Sequence, residues 1–322
     1  MAQRAYRNIL RSYLFIGQPL ENTTDPYPSD FKSGFVAIAG ASNVGKSTLL
    51  NRVLGEKISI TSQKPQTTRN RILGVLHRPE AQLVFLDTPG IHTANNAFNI
   101  RIVDVALSAL KDVDIILVVA DASNPDPPSE QILVKNLKKR KKPVVLALNK
   151  IDLLKKPMLL KIIDIWATLY FFEAIVPVSA KFGTQVDTLV EAMEAILPCG
   201  PPFFPVEAIT DMPERFIAAE MIREKIFRFT GQEIPYSTAV TVNSFTETNR
   251  GRLVKIDAHI NVERDSQKGI IIGKNGRKLK KIGEEARKEI ERMVGTRVFL
   301  KLLVRVQKNW SKDTKALRRF GY

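Results

Sequence analysis

One cysteine, Cys199, and three histidines are the chain's whole supply of soft metal ligands. A lone cysteine excludes an intramolecular disulfide and a cysteine-built zinc site, and it fits a reducing compartment. Three histidines leave little for an imidazole metal centre. No apolar run reaches the roughly 18 residues that a membrane span needs, and the start of the chain lacks the apolar stretch of a secretory signal. Acid is also scarce: 33 Asp and Glu stand against 49 Lys and Arg, a formal charge of +16 over 322 residues. Such an excess predicts an anionic partner, either nucleic acid or an acidic membrane surface. Hydrophobic residues make up 44%, which argues against wholesale disorder, and the length suits about two domains. No internal repeat is evident.

The positive charge is unevenly spread. From Val206 to Tyr322 there are 25 Lys and Arg against 15 Asp and Glu, a net of +10 of the total +16. Just before this region, Pro198-Cys-Gly-Pro-Pro-Phe-Phe-Pro205 cannot continue a helix and reads as the connection between domains. The first 33 residues stand apart: Arg4, Arg7 and Arg11 flank Ile9, Leu10, Tyr13 and Leu14 as in one short amphipathic helix, and a loop follows. Glu21, Asp25 and Asp30 argue against an organelle transit peptide, so this stretch is expected to be an appendage. The expected layout is an extension over 1–33, a first domain over 34–198, a linker over 199–212, a second domain over 213–307 and a tail over 308–322.

The first domain announces itself through phosphate chemistry. Phe35 to Ala39 is an apolar run of buried-strand type, and Gly40-Ala41-Ser42-Asn43-Val44-Gly45-Lys46-Ser47-Thr48 follows at once. This is the G-x-x-x-x-G-K-S phosphate loop, with helical spacing after it up to Gly55. Its glycines let backbone N–H groups turn toward phosphate oxygens, Lys46 adds charge near the β and γ phosphates, and Ser47 offers a hydroxyl to Mg²⁺. A second strand, Gln82 to Leu86, delivers Asp87-Thr88-Pro89-Gly90. Asp87 can hold an Mg²⁺ water, and the Gly90 N–H can register the γ-phosphate. Ile115 to Ala120 and Val144 to Leu148 are further strands, the latter leading to Asn149-Lys150-Ile-Asp152.

The Asp152 carboxylate can accept from guanine N1–H and its 2-amino group, donors that adenine lacks, so adenine leaves a desolvated carboxylate unpaired. Asn149 is expected to anchor its loop, with the Lys150 stem along the base. Ala174 to Val178 leads to Ser179-Ala180-Lys181, whose N–H groups can meet guanine O6. The order of motifs, each after an apolar strand, points to a GTP-binding domain with Mg²⁺ on Ser47, Asp87 and a threonine of the basic stretch Thr61 to Arg71, Thr68 by preference and Thr67 otherwise. The expected nucleotide set is Gly40 to Thr48, Asp87 to Ile91, Asn149, Lys150, Asp152, Ser179, Ala180 and Lys181. Ile91 cannot orient a water as a glutamine at that position does. No catalytic group is therefore assigned beyond γ-phosphate sensing by Thr68 and Gly90, and intrinsic hydrolysis is expected to be slow.

The basic C-terminal third follows a different plan. Glu214 to Phe229 has helical spacing, with Phe216, Ile217, Ile222 and Ile226 expected in the core, and Tyr236 to Phe245 and Leu253 to Val262 alternate as strands. Ile272-Gly273-Lys274-Asn275-Gly276 follows, then a helix through Glu291 and a last strand from Arg297 to Val306. The order α-β-β-α-α-β with a G-x-x-G turn between the middle helices is that of a type II KH module. Its turn lets a sugar-phosphate chain approach the backbone while single-stranded bases face an apolar groove, expected to include Ile271 and Ile272. Lys268, Lys274, Arg277, Lys278, Lys280 and Lys281, with no acid among residues 268 to 281, supply the salt-dependent phosphate term. Trp310 is expected either to stack on a base or to bury itself.

The whole is read as an α/β P-loop GTPase domain, with a mostly parallel sheet flanked by helices, followed by an α+β type II KH domain. From about Ser33 onward it resembles the Era family of bacterial ribosome-assembly GTPases, most tellingly at Gly40 to Thr48, Gln66-Thr-Thr-Arg69, Asp87 to Gly90, Asn149 to Asp152, Glu233-Ile-Pro-Tyr236 and Gly273 to Gly276. The resemblance implies GTP-controlled binding to the 3′ end of 16S ribosomal RNA during maturation of the 30S subunit. It also implies a cytoplasmic location with some peripheral contact at the inner membrane, and a monomer is expected. Related GTPases with a P-loop asparagine use it to position K⁺, which would make Asn43 a K⁺ ligand. Ala41-Ser42 departs from the Arg-Pro common in the family. A non-hydrolysing RNA adaptor is the rival reading.

Overall fold

The computed structural model describes residues 28–62, 71–92, 97–231, 234–248, 251–310 and 320. The N-terminal helix expected between Arg4 and Leu14, and Thr67, Thr68 and Arg69, lie outside these residues.

Five strands of the first domain are short and apolar, as buried parallel strands must be. They are β1 (Lys32–Ala39), β3 (Ala81–Asp87), β4 (Ile115–Asp121), β5 (Val144–Asn149) and β6 (Ala174–Pro177). A sixth, β2 (Ile72–His77), is not among the strands expected from the sequence, and it runs antiparallel to β3 at the sheet edge. The sheet order is β2-β3-β1-β4-β5-β6. Successive residues of a strand face opposite sides, so Phe35, Ala37 and Ala39 join one core and Val36 and Ile38 the other. The second core is closed by α1 (Lys46–Leu54) and α5 (Val186–Ala195), and the first by α2 (Ala97–Ser108), α3 (Pro127–Leu137) and α4 (Lys156–Leu169). Gly74 in β2 is there for space: a Cβ would lie 2.5 Å from Leu54 Cδ1.

The proline-rich segment after α5 is bound to this domain. Gln82, fully buried, donates to Phe204 O at 2.7 Å and accepts from the N–H groups of Phe203 and Phe204. The Phe203 ring lies 4.8 Å from that of Phe35. Further on, Val75 N–H donates to Ile209 O at 2.8 Å and Thr210 Oγ1 donates to Leu73 O at 2.6 Å. The strap thus covers the free edge of β2, where unpaired backbone groups otherwise remain.

The second domain comprises α6 (Glu214–Phe229), β7 (Ala239–Thr248), β8 (Leu253–Val262), α7 (Asp265–Ile272), α8 (Arg277–Val294) and β9 (Arg297–Val306). Its sheet has the order β7-β8-β9, with the helices on one face. β8 is antiparallel to β7 and parallel to β9. Ile217, Ile222 and Ile226 are buried as expected, while Phe216 is only half-buried. Trp310 is buried, donates from Nε1 to Ser237 O at 3.1 Å and meets Phe320 edge-on. It is therefore a core residue and cannot offer its face to a base.

Candidate nucleotide cleft and nucleic-acid groove

A cleft of about 700 Å³ opens over the C-terminal ends of the parallel strands, lined by Ser42, Asn43, Gly45 to Thr48, Ile60 to Ser62, Gly90, Asn149, Lys150, Asp152, Leu153, Ala180 and Lys181. The P-loop takes its shape from left-handed backbone at Asn43 (φ 64°) and Gly45 (φ 99°). At Gly45 a Cβ would strike Asn149 Nδ2 at 2.3 Å, so only glycine fits. Lys46 is buried at the start of α1, where its ammonium donates to Gly40 O at 3.1 Å and Ala41 O at 2.7 Å. Burial pulls its pKa from 10.5 down to about 8, against the opposing pull of the Asp87 charge. The helix start, the ring of backbone N–H groups and this amine form an anion cradle.

At the guanine end one side chain ties three loops together. Asn149 Nδ2 donates to Val44 O at 2.8 Å and its Oδ1 accepts from Ala180 N–H at 2.9 Å. Ser179 Oγ donates to Asp152 Oδ1 at 2.6 Å, orienting the carboxylate. The Lys150 ammonium is paired with Asp121, which lays its stem along the cleft floor. Arg52, on α1, donates to Ala180 O and Lys181 O and fixes the loop from behind.

At the phosphate end, Ser47 Oγ donates to Asp87 Oδ2 at 2.7 Å, and Ser59 Oγ donates to the same oxygen at 2.9 Å. A hydroxyl and a carboxylate beside a phosphate site are hard oxygen donors that suit Mg²⁺ with its retained waters. Thr61 and Ser62, on the cleft wall, open the basic stretch already expected near the nucleotide, whereas Ser59, Ile60 and Leu153 fall outside the motifs and no local spacing marks them. Thr88 and Ile91, expected at the nucleotide, turn their side chains away from it. Thr88 Oγ1 donates to Ile38 O at 2.7 Å, and Ile91 sits fully buried in the first core while its N–H donates to Gly40 O at 3.0 Å. Gly40, Ala41, Val44, Asp87, Pro89 and Ser179 do not line the cleft themselves. His92 donates from Nδ1 to Gly90 O at 2.9 Å. Gly90 lies so close to Ser42 that a Cβ on it would meet Ser42 Oγ at 2.5 Å.

The second domain holds a groove of about 420 Å³ between α8 and β9, lined by Gly276, Leu279, Lys280, Gly283, Glu284, Arg287, Leu300 and Leu302. Gly273 (φ 70°), Asn275 (φ 53°) and Gly276 (φ 72°) make the sharp turn at its mouth. Lys274, Arg277 and Lys280 are exposed or half-exposed around this turn, with Lys268 and Lys278 beside them and Lys281 over the Phe229 ring at 4.9 Å. Ile271, expected as groove floor, is fully buried in the domain core, and Ile272 is half-buried beside it. The apolar floor is instead Leu279, Leu300 and Leu302.

The two sites are linked by charge. Lys57, beyond the end of α1, meets Glu224 of α6 at 2.7 Å and Glu289 of α8 at 2.8 Å; Glu289 also pairs with the buried Lys225. Burial of Lys57 lowers its pKa, but the bonds and charges of Glu224 and Glu289 outweigh this and raise it.

A nucleotide cleft with a guanine-type carboxylate and a G-x-x-G groove on one chain define a P-loop GTPase carrying a KH nucleic-acid module. The family model described as a 50S ribosome-binding GTPase matches residues 35–150, and that of the KH domain matches 233–311. GTPase Era of Geotalea uraniireducens is 56% identical over 292 residues, 91% of this chain and 98% of that protein. GTPase Era of Lacticaseibacillus paracasei is 48% identical over 294 residues, again 91% of this chain and 98% of the relative. The chain belongs to the Era family of GTPases, and it hydrolyses GTP. Among solved structures, Era in complex with MgGDPNP and nucleotides 1506–1542 of 16S ribosomal RNA matches with TM-score 0.86 and 42% identity, over 91% of this chain and 99% of that one. A point variant of Aquifex aeolicus Era bound to GDP·AlF4⁻ matches with TM-score 0.86 and 41% identity over the same shares. A fit of that quality across both domains requires the same relative placement of the domains.

Proposed function

We propose that this GTPase grips single-stranded RNA from the 3′ end of 16S ribosomal RNA in its α8–β9 groove, under control of the nucleotide in its cleft, during assembly of the 30S subunit. Lys46, Ser47 and the P-loop N–H groups hold the β and γ phosphates, Asp152 reads guanine, and Asp87 with Ser47 takes Mg²⁺. When bound, the ion neutralises charge on the phosphates. Asn43, exposed on the P-loop rim, is the proposed K⁺ ligand that substitutes for an arginine finger. The protein acts as a cytoplasmic monomer, and any meeting with the inner membrane is peripheral; no helix among the described residues is long and apolar enough to cross a membrane.

The observation that carries the coupling is a short covalent path. Ser59 touches Asp87 and Ser62 lines the cleft, while Lys57, two residues before Ser59, is ion-paired to α8, the helix that forms the groove wall. A change at the γ-phosphate that moves this segment therefore moves the charge on which α8 rests. The test is RNA affinity and multiple-turnover phosphate release with GTP, GDP and a non-hydrolysable analogue, in K⁺ and in Na⁺. Wild type should bind RNA several-fold more tightly with the triphosphate. Lys57→Ala should bring the two affinities together with GTP affinity unchanged. A wild-type affinity indifferent to the nucleotide ends the reading.

A further inference from the structure

The β9 strand has two working faces. Its inward residues Leu300 and Leu302 floor the groove, whereas Arg297, Phe299, Lys301, Leu303 and Arg305 all project from the opposite side and are exposed. Phe299 is 59% exposed, a high value for an aromatic ring in the middle of a strand. The register sets Lys255 of β8 directly beside it, and sets Asp257 beside Lys301. This open sheet face thus carries Arg297, Lys301 and Lys255 around one phenyl ring, with Arg305 about 20 Å further along β9. Asp257 is the one carboxylate of its β8 and β9 rows, and it lies 3.6 Å from both Lys301 and His259. The positive field is registered by His259, whose pKa is lowered by burial first and then by Arg305 and Lys301, against Asp257. None of α6, α7 and α8 covers this face, because they fill the core on the other side.

A G-x-x-G groove clamps about four nucleotides. The RNA held by the related protein spans nucleotides 1506–1542, far more than such a groove accommodates. A strand leaving the groove on the β9 side has only the width of one backbone to cross before it reaches Phe299. Alternate residues of a strand stand about 7 Å apart, so Arg297, Lys301 and Arg305 form a cationic row on either side of the ring. A flat π face among cations is the arrangement that takes an unpaired base and its phosphates without reading sequence.

Resting on the groove reading above, we infer that the outer face of β8 and β9 is a second RNA-binding surface, on which Phe299 stacks an unpaired base and Arg297, Lys301, Arg305 and Lys255 take phosphates. The groove and this face form one continuous track around β9. The test uses the full chain loaded with a non-hydrolysable GTP analogue, and two RNAs: the 16S segment 1506–1542 and a short strand from its 3′ part, about six nucleotides and so little longer than the groove holds. Phe299→Ala combined with Lys301→Ala and Arg305→Ala should weaken the long RNA about tenfold or more. It should also reduce the salt dependence of that binding by about one unit of log–log slope. The short strand should bind as in wild type, which also shows that the domain is folded. Phe299→Tyr should restore the stacking share. Wild-type binding of the long RNA by the triple variant overturns the inference. So does retention of both RNA affinities with loss of pre-30S binding, which would assign the face to a protein. If wild type itself fails to hold the short strand, the groove reading falls instead.

Discussion

Two glycine turns at helix starts serve two kinds of phosphate, and they are built in opposite ways. The P-loop before α1 is sunk in the domain: Lys46 is 6% exposed, Asn149 is cross-bonded to two neighbouring loops, and Ser42 and Asn149 leave no space for side chains at Gly90 and Gly45. The G-x-x-G turn before α8 stands open. Asn275 is exposed at its tip, and a Cβ at Gly276 would meet nothing within 4 Å. A preorganised, desolvated cradle recognises one ligand by its full outline. An open turn ringed by hydrated cations holds any strand of the right curvature, through a term that salt removes.

The largest contrast should come from the asparagines of the two loops. Asn149→Ala leaves two buried backbone groups unpaired, at about 1–3 kcal/mol each, so guanine-nucleotide affinity should fall roughly 100-fold in a fluorescent-nucleotide titration. Asn275→Ala should change RNA affinity only a few-fold. Comparable losses in both would remove the distinction between a closed cradle and an open turn. Salt gives the next test. If the six cations around residues 268 to 281 all meet phosphate, log affinity for RNA should fall with a slope of about 4 against log salt. Nucleotide affinity should change far less over the same range.

Protonation separates the two sites further. Lys46 is held down to about 8 by burial, with Asp87 opposing. A bound triphosphate raises that pKa, so the lysine's contribution to binding is complete below about pH 8 and is lost as pH rises through the bound value. Nucleotide should therefore bind more weakly near pH ~8.5 than near pH ~7, with proton uptake visible by calorimetry in buffers of different ionisation heat. The same pH rise should spare binding of the short RNA. The smallest effect belongs to the strap: Thr210→Ala removes one bond to β2 and should lower stability by about 1 kcal/mol, read as a shift in melting temperature with nucleotide affinity intact.

How far each site was legible follows from how local it is. The P-loop, Asp87 and Asn149 to Asp152 are contiguous strings whose residue types are dictated by the ligand, so they stand out in one dimension. The groove is not such a string. Its wall and floor come from α8 and β9, and Leu279, Gly283, Arg287, Leu300 and Leu302 are brought together only by packing. Ile270, Ile271 and Ile272 show the limit sharply. Three identical residues in one helix turn point three ways, and composition cannot say that the middle one is fully buried while Ile270 is 43% exposed. The edge strand β2 escapes the pattern because Gly74 interrupts its apolar run and its partners, β3 on one side and the strap on the other, are set by the fold. Lys57 carries no motif at all, and its role exists only because α6 and α8 bring Glu224 and Glu289 to it.

The strap sets the leash between the domains. A chain the length of residues 199–212, hanging free, could reach roughly 45 Å. Fastened at Gln82, Val75 and Leu73, it surrenders nearly all of that slack before Thr210. Only Asp211 to Pro213 remain between the strap and α6, so any travel of the KH domain is an angle rather than an excursion. A swing about so short a joint keeps the G-x-x-G turn within a fixed arc of the nucleotide cleft.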